Sequence, residues 1–82
     1  MEKYNIELRG KSSQIKKLEE GNLVNFKFID FDEFHPEDIQ QGVLSGGKNP
    51  DALVYCEVEE TSSFYWRVKH IEWKKYDIDF RD

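Results

Sequence analysis

The chain has 82 residues, a formal net charge of −5 and a single cysteine, Cys56. This length excludes a multidomain organisation, and one thiol excludes both an internal disulfide and a zinc site built on paired cysteines. We therefore expect one α+β domain over residues 1–82, stabilised largely by its six Phe, four Tyr and two Trp residues.

The sequence also bears on location. The amino-terminal stretch MEKYNIEL has no apolar signal core, and no stretch approaches the roughly 18 apolar residues that cross a membrane. These features, with the lone thiol, predict a cytoplasmic protein that does not contact a membrane. A phage-encoded protein acting in its host's cytoplasm would have the same pattern.

The first half of the chain predicts two strands and a helix. Apolar and polar residues alternate over residues 4–9, which is typical of a strand with one buried face. A short helix is expected over residues 13–20, and it must dock through its apolar side chains because two isolated turns are unstable. Residues 23–34 predict a second strand that either is covered on both faces or switches its apolar face at a bulge near Phe28.

The second half predicts a helical turn and three strands. The turn should begin at Pro36 and end near Gly42, because Pro suits the first helical position and acids suit the first turn. A loop follows over residues 45–51, then a hairpin of two long strands over residues 52–73, then a last strand over residues 76–80. The expected order is β-α-β-α-β-β-β, with one short helix packed on a four- to five-stranded, mainly antiparallel sheet.

The hairpin sets the expected core. Val58 should lie opposite Trp66 or, after a shift by two residues, opposite Phe64, because only even shifts keep the two apolar faces together. The expected core residues share the inner faces of the strands and the helix: Tyr4, Ile6, Leu8, Ile15, Leu18, Val24, Phe26, Phe28, Val54, Cys56, Val58, Phe64, Trp66 and Val68.

Two near-matches to ligand-binding motifs fail. Residues 42–49 approximate the phosphate-binding pattern GxxxxGK[ST], but Asn49 replaces the Ser or Thr, and Pro50 prevents the helix that should follow. The acids after residue 29 do not fit a calcium loop, since Phe34 stands at the third ligand position. The two histidines and the cysteine have no spacing typical of a nucleophile and its base. The sequence therefore predicts no metal, no cofactor and no catalytic residue.

A first candidate surface is acidic. Residues 30–60 contain nine acids and one base, Lys48, so they carry a charge of −8, whereas the rest of the chain carries +3. The candidate partner-binding residues, which we call the acidic ridge, are Asp30, Asp32, Glu33, Glu37 and Asp38. Such a field favours association with a basic surface of a protein partner.

A second candidate surface is the outer face of the hairpin. Aromatic and basic residues alternate there with the core positions, and we call them the aromatic–basic face: Tyr55, Tyr65, Arg67, Lys69 and Trp73. Large aromatic residues on both faces of a strand indicate that the outer face is covered by a helix or a second subunit. A face of this composition could also stack single-stranded nucleic acid, although the net negative charge opposes it.

These patterns leave three functional hypotheses. The leading one is a small, acidic, non-enzymatic binding protein that acts through protein–protein contacts. Its size and charge are those of inhibitors such as phage-encoded, anti-CRISPR-like proteins or immunity proteins, although no shared motif supports a family. The alternatives are a self-associating structural protein, including a homodimer, and a nucleic-acid binder that uses the strand from Tyr65 to Trp73.

Overall fold

The computed structural model describes residues 3–33, 40–44, 49–62 and 64–79. The regular elements are β1 (Lys3–Gly10), α1 (Ser12–Lys17), β2 (Leu23–Asn25), β3 (Ile29–Glu33), β4 (Gln40–Leu44), β5 (Ala52–Ser62) and β6 (Tyr65–Tyr76), with a 3₁₀ turn at Phe26–Phe28 between β2 and β3.

The strands form one mixed sheet in the order β2-β6-β5-β1-β4-β3. Strands β1 and β4 are parallel, and the other pairings are antiparallel. Only the three-residue 3₁₀ turn separates β2 from β3 along the chain, yet they stand at the two ends of this order. The sheet must therefore curl, and it has five strands if β2 and β3 count as one interrupted strand. The expectation of a small, strand-rich α+β domain with one short helix is confirmed.

The core lies on the concave side of this sheet. Every second residue of β5, from Ala52 through Val58, is fully buried, as alternation predicts. Nine of the expected core residues are buried: Ile6, Leu8, Ile15, Val24, Val54, Cys56, Val58, Trp66 and Val68. Tyr4 and Leu18 pack against them while half-buried. Ile29 and Ala52 are also in the core, although the sequence analysis had not placed them there.

Helix α1 is shorter than the expected range of residues 13–20. It ends at Lys17, and only Ile15 is buried among its residues. Its first turn is not capped by a serine side chain. Instead, the Lys11 N–H donates to Gln14 Oε1 (2.9 Å), and the Ser12 N–H donates to Asp51 Oδ1 (2.8 Å). Asp51 thus ties the start of the helix to the start of β5, and such docking allows so short a helix to persist.

The hairpin register differs from both predicted alternatives. Val58 lies opposite Val68, and Cys56 lies opposite Ile71. The pairing shifts by one residue three times, so that Lys69 and Glu72 are extra residues on β6 and Thr61 is an extra residue on β5. Each extra residue is a β-bulge, which reverses the face alternation beyond it. Val58 and Val68 are related by an even shift, as predicted, but the three bulges mean that no single register applies to the whole hairpin.

Several other expectations are wrong. Phe28 is 63% exposed because it lies in the 3₁₀ turn, and Phe64 is 44% exposed because it lies in the hairpin turn. The start of the predicted helical turn lies outside the described residues, but its end is wrong because Gln40–Leu44 form β4. No last strand begins at Tyr76, since β6 continues through that residue and residues 77–79 are irregular.

Candidate interaction surfaces

The outer face of the sheet, opposite the core, carries an aromatic pair. Tyr55 and Trp73 are register partners, and their ring centroids lie 5.6 Å apart at an interplanar angle of 37°. The Nζ atom of Lys75 lies 4.8 Å from the centroid of the Trp73 ring. The sequence analysis ended the hairpin at residue 73 and began a separate strand at residue 76, and so it missed this cation–π contact.

The rest of the aromatic–basic face is less continuous than predicted. Tyr65, Arg67 and Lys69 are all exposed, and a guanidinium nitrogen of Arg67 donates to the Gly21 carbonyl oxygen (3.4 Å). Ile71, which strict alternation would place with them, packs against the core because of the bulge at Lys69. Charged residues therefore separate Tyr65 from the Tyr55–Trp73 pair.

A cluster of three titratable side chains lies at this interruption. His70 Nδ1 lies 3.2 Å from Glu20 Oε2, and His70 Nε2 lies 3.3 Å from Glu72 Oε1. Glu20 Oε2 also accepts the N–H of Ile71 (3.0 Å). We interpret the Glu20–His70–Glu72 cluster as a structural contact between the segment after α1 and the bulged part of β6. All three side chains are more than half exposed, so the contact should contribute little to stability.

Lys74 has a structural role rather than a binding role. Its Nζ donates to the carbonyl oxygens of Leu18 (2.6 Å) and Lys16 (3.4 Å) at the end of α1. A cation here satisfies carbonyl groups that the helix leaves without intrahelical donors. Of the two adjacent lysines, only Lys75 is thus available on the outer face.

Exposed apolar side chains also gather near the tip of the hairpin. Leu23 is 53% exposed and Tyr65 40% exposed, and Phe28 and Phe64 belong to the same end of the molecule. Lys27 Nζ lies 3.8 Å from the centroid of the Phe64 ring. The sequence pattern gave no sign of this group, because both phenylalanines fit the alternation of a buried face.

The acidic ridge is only partly described. Asp30, Asp32 and Glu33 lie on β3, the strand at one end of the sheet order, which pairs with β4. Glu37 and Asp38 lie outside the described residues. Among the side chains that the structure describes, no three His, Cys, Asp or Glu residues are grouped so that they could hold a metal ion.

Cys56 is unsuited to nucleophilic chemistry. Its side chain is fully buried between Val54 and Val58 on the inner face of β5. Burial raises the pKa of this thiol from its ordinary value of 9.0 to about 12. Because the thiolate is the nucleophile, Cys56 serves as a small apolar core residue.

Comparison with protein-family models, with curated proteins and with solved structures gives no match to this chain. Within the described residues, no helix has the length and apolar character needed to span a membrane.

Proposed function

We propose that this protein is a small, non-enzymatic, cytoplasmic binding protein that occupies a basic surface of another protein, in the manner of an inhibitor. The observation that carries the proposal is the position of Asp30, Asp32 and Glu33 on β3, at one end of the sheet order. A strand at the end of the sheet order offers backbone groups that can pair with an extended segment of a partner, and its three acids add negative charge.

The charge distribution supports the same surface. Asp30, Asp32 and Glu33 begin the stretch of residues 30–60 that carries a charge of −8, while the remaining residues carry +3. A field with this asymmetry orients the protein as it approaches a basic partner and raises the association rate. The field acts mainly on the rate of encounter. Because salt screens exposed charges, this contribution to the association rate should fall as the salt concentration increases.

The test compares two triple variants of equal charge. The first neutralises the ridge with Asp30→Asn, Asp32→Asn and Glu33→Gln. The control neutralises three exposed acids outside residues 30–60, with Glu19→Gln, Asp77→Asn and Asp79→Asn. A partner captured from the native host by the tagged wild-type chain is purified, and its association with each variant is measured over a range of salt concentrations.

We expect the ridge variant to associate about tenfold more slowly at low salt and to lose most of its salt dependence. The control variant should remain close to wild type, since its substitutions change the net charge but not the ridge. Equal association of both variants would remove the acidic ridge as the binding surface.

A further inference from the structure

The outer face of the β5–β6 hairpin carries opposite charges on its two strands. Glu57 and Glu59 lie on β5, and Arg67 lies on β6 directly opposite Glu59. Two register positions further along the same face, Tyr55 lies opposite Trp73. Thus β5 is the acidic strand of this face and β6 the basic one, with an aromatic pair at one end.

This arrangement is complementary to itself. A two-fold axis parallel to the strands, above the boundary between β5 and β6, places β5 of one copy over β6 of the other. Each pair of register partners in one copy then lies directly over the same pair in the other copy. Glu59 then faces Arg67 of the second copy, and Tyr55 faces Trp73 of the second copy. The pair between them, Glu57 and His70, should contribute little to the contact between copies, because the ring nitrogens of His70 already contact carboxylates. Both complementary contacts occur twice, as in any isologous interface.

We propose that the outer face of the β5–β6 hairpin is the interface of a symmetric homodimer, centred on Tyr55, Glu59, Arg67 and Trp73. Helix α1 does not cover this face, since Ile15 packs it against the core. Aromatic anchors with a charged rim are typical of protein interfaces. Because twisted sheets pack face to face over a limited area, the dimer should be weak and should form at high protein concentration.

The decisive test uses two charge-reversal variants of the full chain. In Arg67→Glu the two facing positions are both acidic, and in Glu59→Arg they are both basic, so each variant should repel its own copy. A mixture of the two variants restores opposite charges at every facing position. Sedimentation equilibrium at low salt, from low micromolar to near-millimolar concentration, measures the dissociation constant of each sample.

We expect wild type to dimerise, each single variant to dimerise at least about tenfold more weakly, and the equimolar mixture to recover the wild-type affinity. Circular dichroism establishes that each variant is folded. As a second measurement that needs no variant, Trp73 fluorescence of wild type should shift to shorter wavelength as concentration rises, whereas Trp66 is already buried. A wild-type monomer at all concentrations, or single variants that dimerise as tightly as wild type, would overturn the proposal.

Discussion

Individual side chains show where a periodic pattern stops being informative. Phe28 and Phe64 fit an alternating apolar face, yet each falls in a turn, where alternation no longer determines which side chains are buried. Gln40 shows the reverse case, since its polar side chain is fully buried where β4 pairs in parallel with β1. The sequence predicted most core residues correctly because they lie in the regular parts of β1, β5 and β6.

Cys56 allows a prediction about pH. The folded state raises the pKa of its thiol from 9.0 to about 12, so folding favours the protonated form. This contribution is fully present below pH 9 and is lost as pH rises from about 9 towards 12. We expect the free energy of unfolding, measured in urea, to fall more steeply across that interval for wild type than for Cys56→Ala.

The same burial predicts slow chemistry in the native state. A disulfide reagent near pH 8 should modify Cys56 only as fast as the chain opens, and urea should accelerate the reaction. Rapid modification of the folded protein, with unfolding ruled out by circular dichroism, would contradict the assignment of Cys56 to the core.

Elements are positioned here by contacts that the sequence pattern does not show. The bulges at Lys69 and Glu72 shift the register of β6 twice, so they bring Trp73 back to the outer face opposite Tyr55. The sequence analysis placed both rings on that face, but it did so by unbroken alternation, which the structure does not have. A bulge needs no characteristic residue type, and this is the physical reason that the register was wrong.

Helix α1 should depend on Lys74. Replacing Lys74 by Met keeps the apolar stem but removes the ammonium that donates to the Leu18 and Lys16 carbonyl oxygens. We expect a loss of about 1–2 kcal/mol in the free energy of unfolding, because a cation at a helix end and its hydrogen bonds are lost together. The matched control is Lys75→Met, which should cost less than about 0.5 kcal/mol because Lys75 is exposed.

Urea denaturation of both variants decides this point. Equal effects at the two positions would show that the contact between Lys74 and the helix end contributes nothing measurable. A larger effect at Lys75 would instead make its contact with Trp73 the more important of the two.

The molecule as a whole combines a partly predictable fold with surfaces that the sequence describes only by charge. Composition and alternation predicted the class, the short helix α1 and the long hairpin. They did not predict the curl of the sheet, because it depends on β2 and β3 pairing with strands at opposite ends of the order. Asp30, Asp32 and Glu33 lie on β3, whereas the proposed dimer interface lies on β5 and β6, so the two proposals use different strands.

The charge of the whole molecule also bears on the nucleic-acid alternative. Trp73 and Tyr55 offer a stacking platform beside Lys75, but Glu7 lies in the same row as Tyr55, Glu57 lies on the same face, and the net charge is −5. Phosphates approaching this face would meet carboxylates, so the electrostatic term that drives most nucleic-acid binding is unfavourable. We expect single-stranded oligonucleotides not to quench Trp73 fluorescence at low or physiological salt. The Glu7→Gln, Glu57→Gln variant, which removes two of the opposing carboxylates, is titrated in the same way for comparison. Saturable quenching of wild type that weakens as salt is added would instead identify the outer face as a nucleic-acid platform.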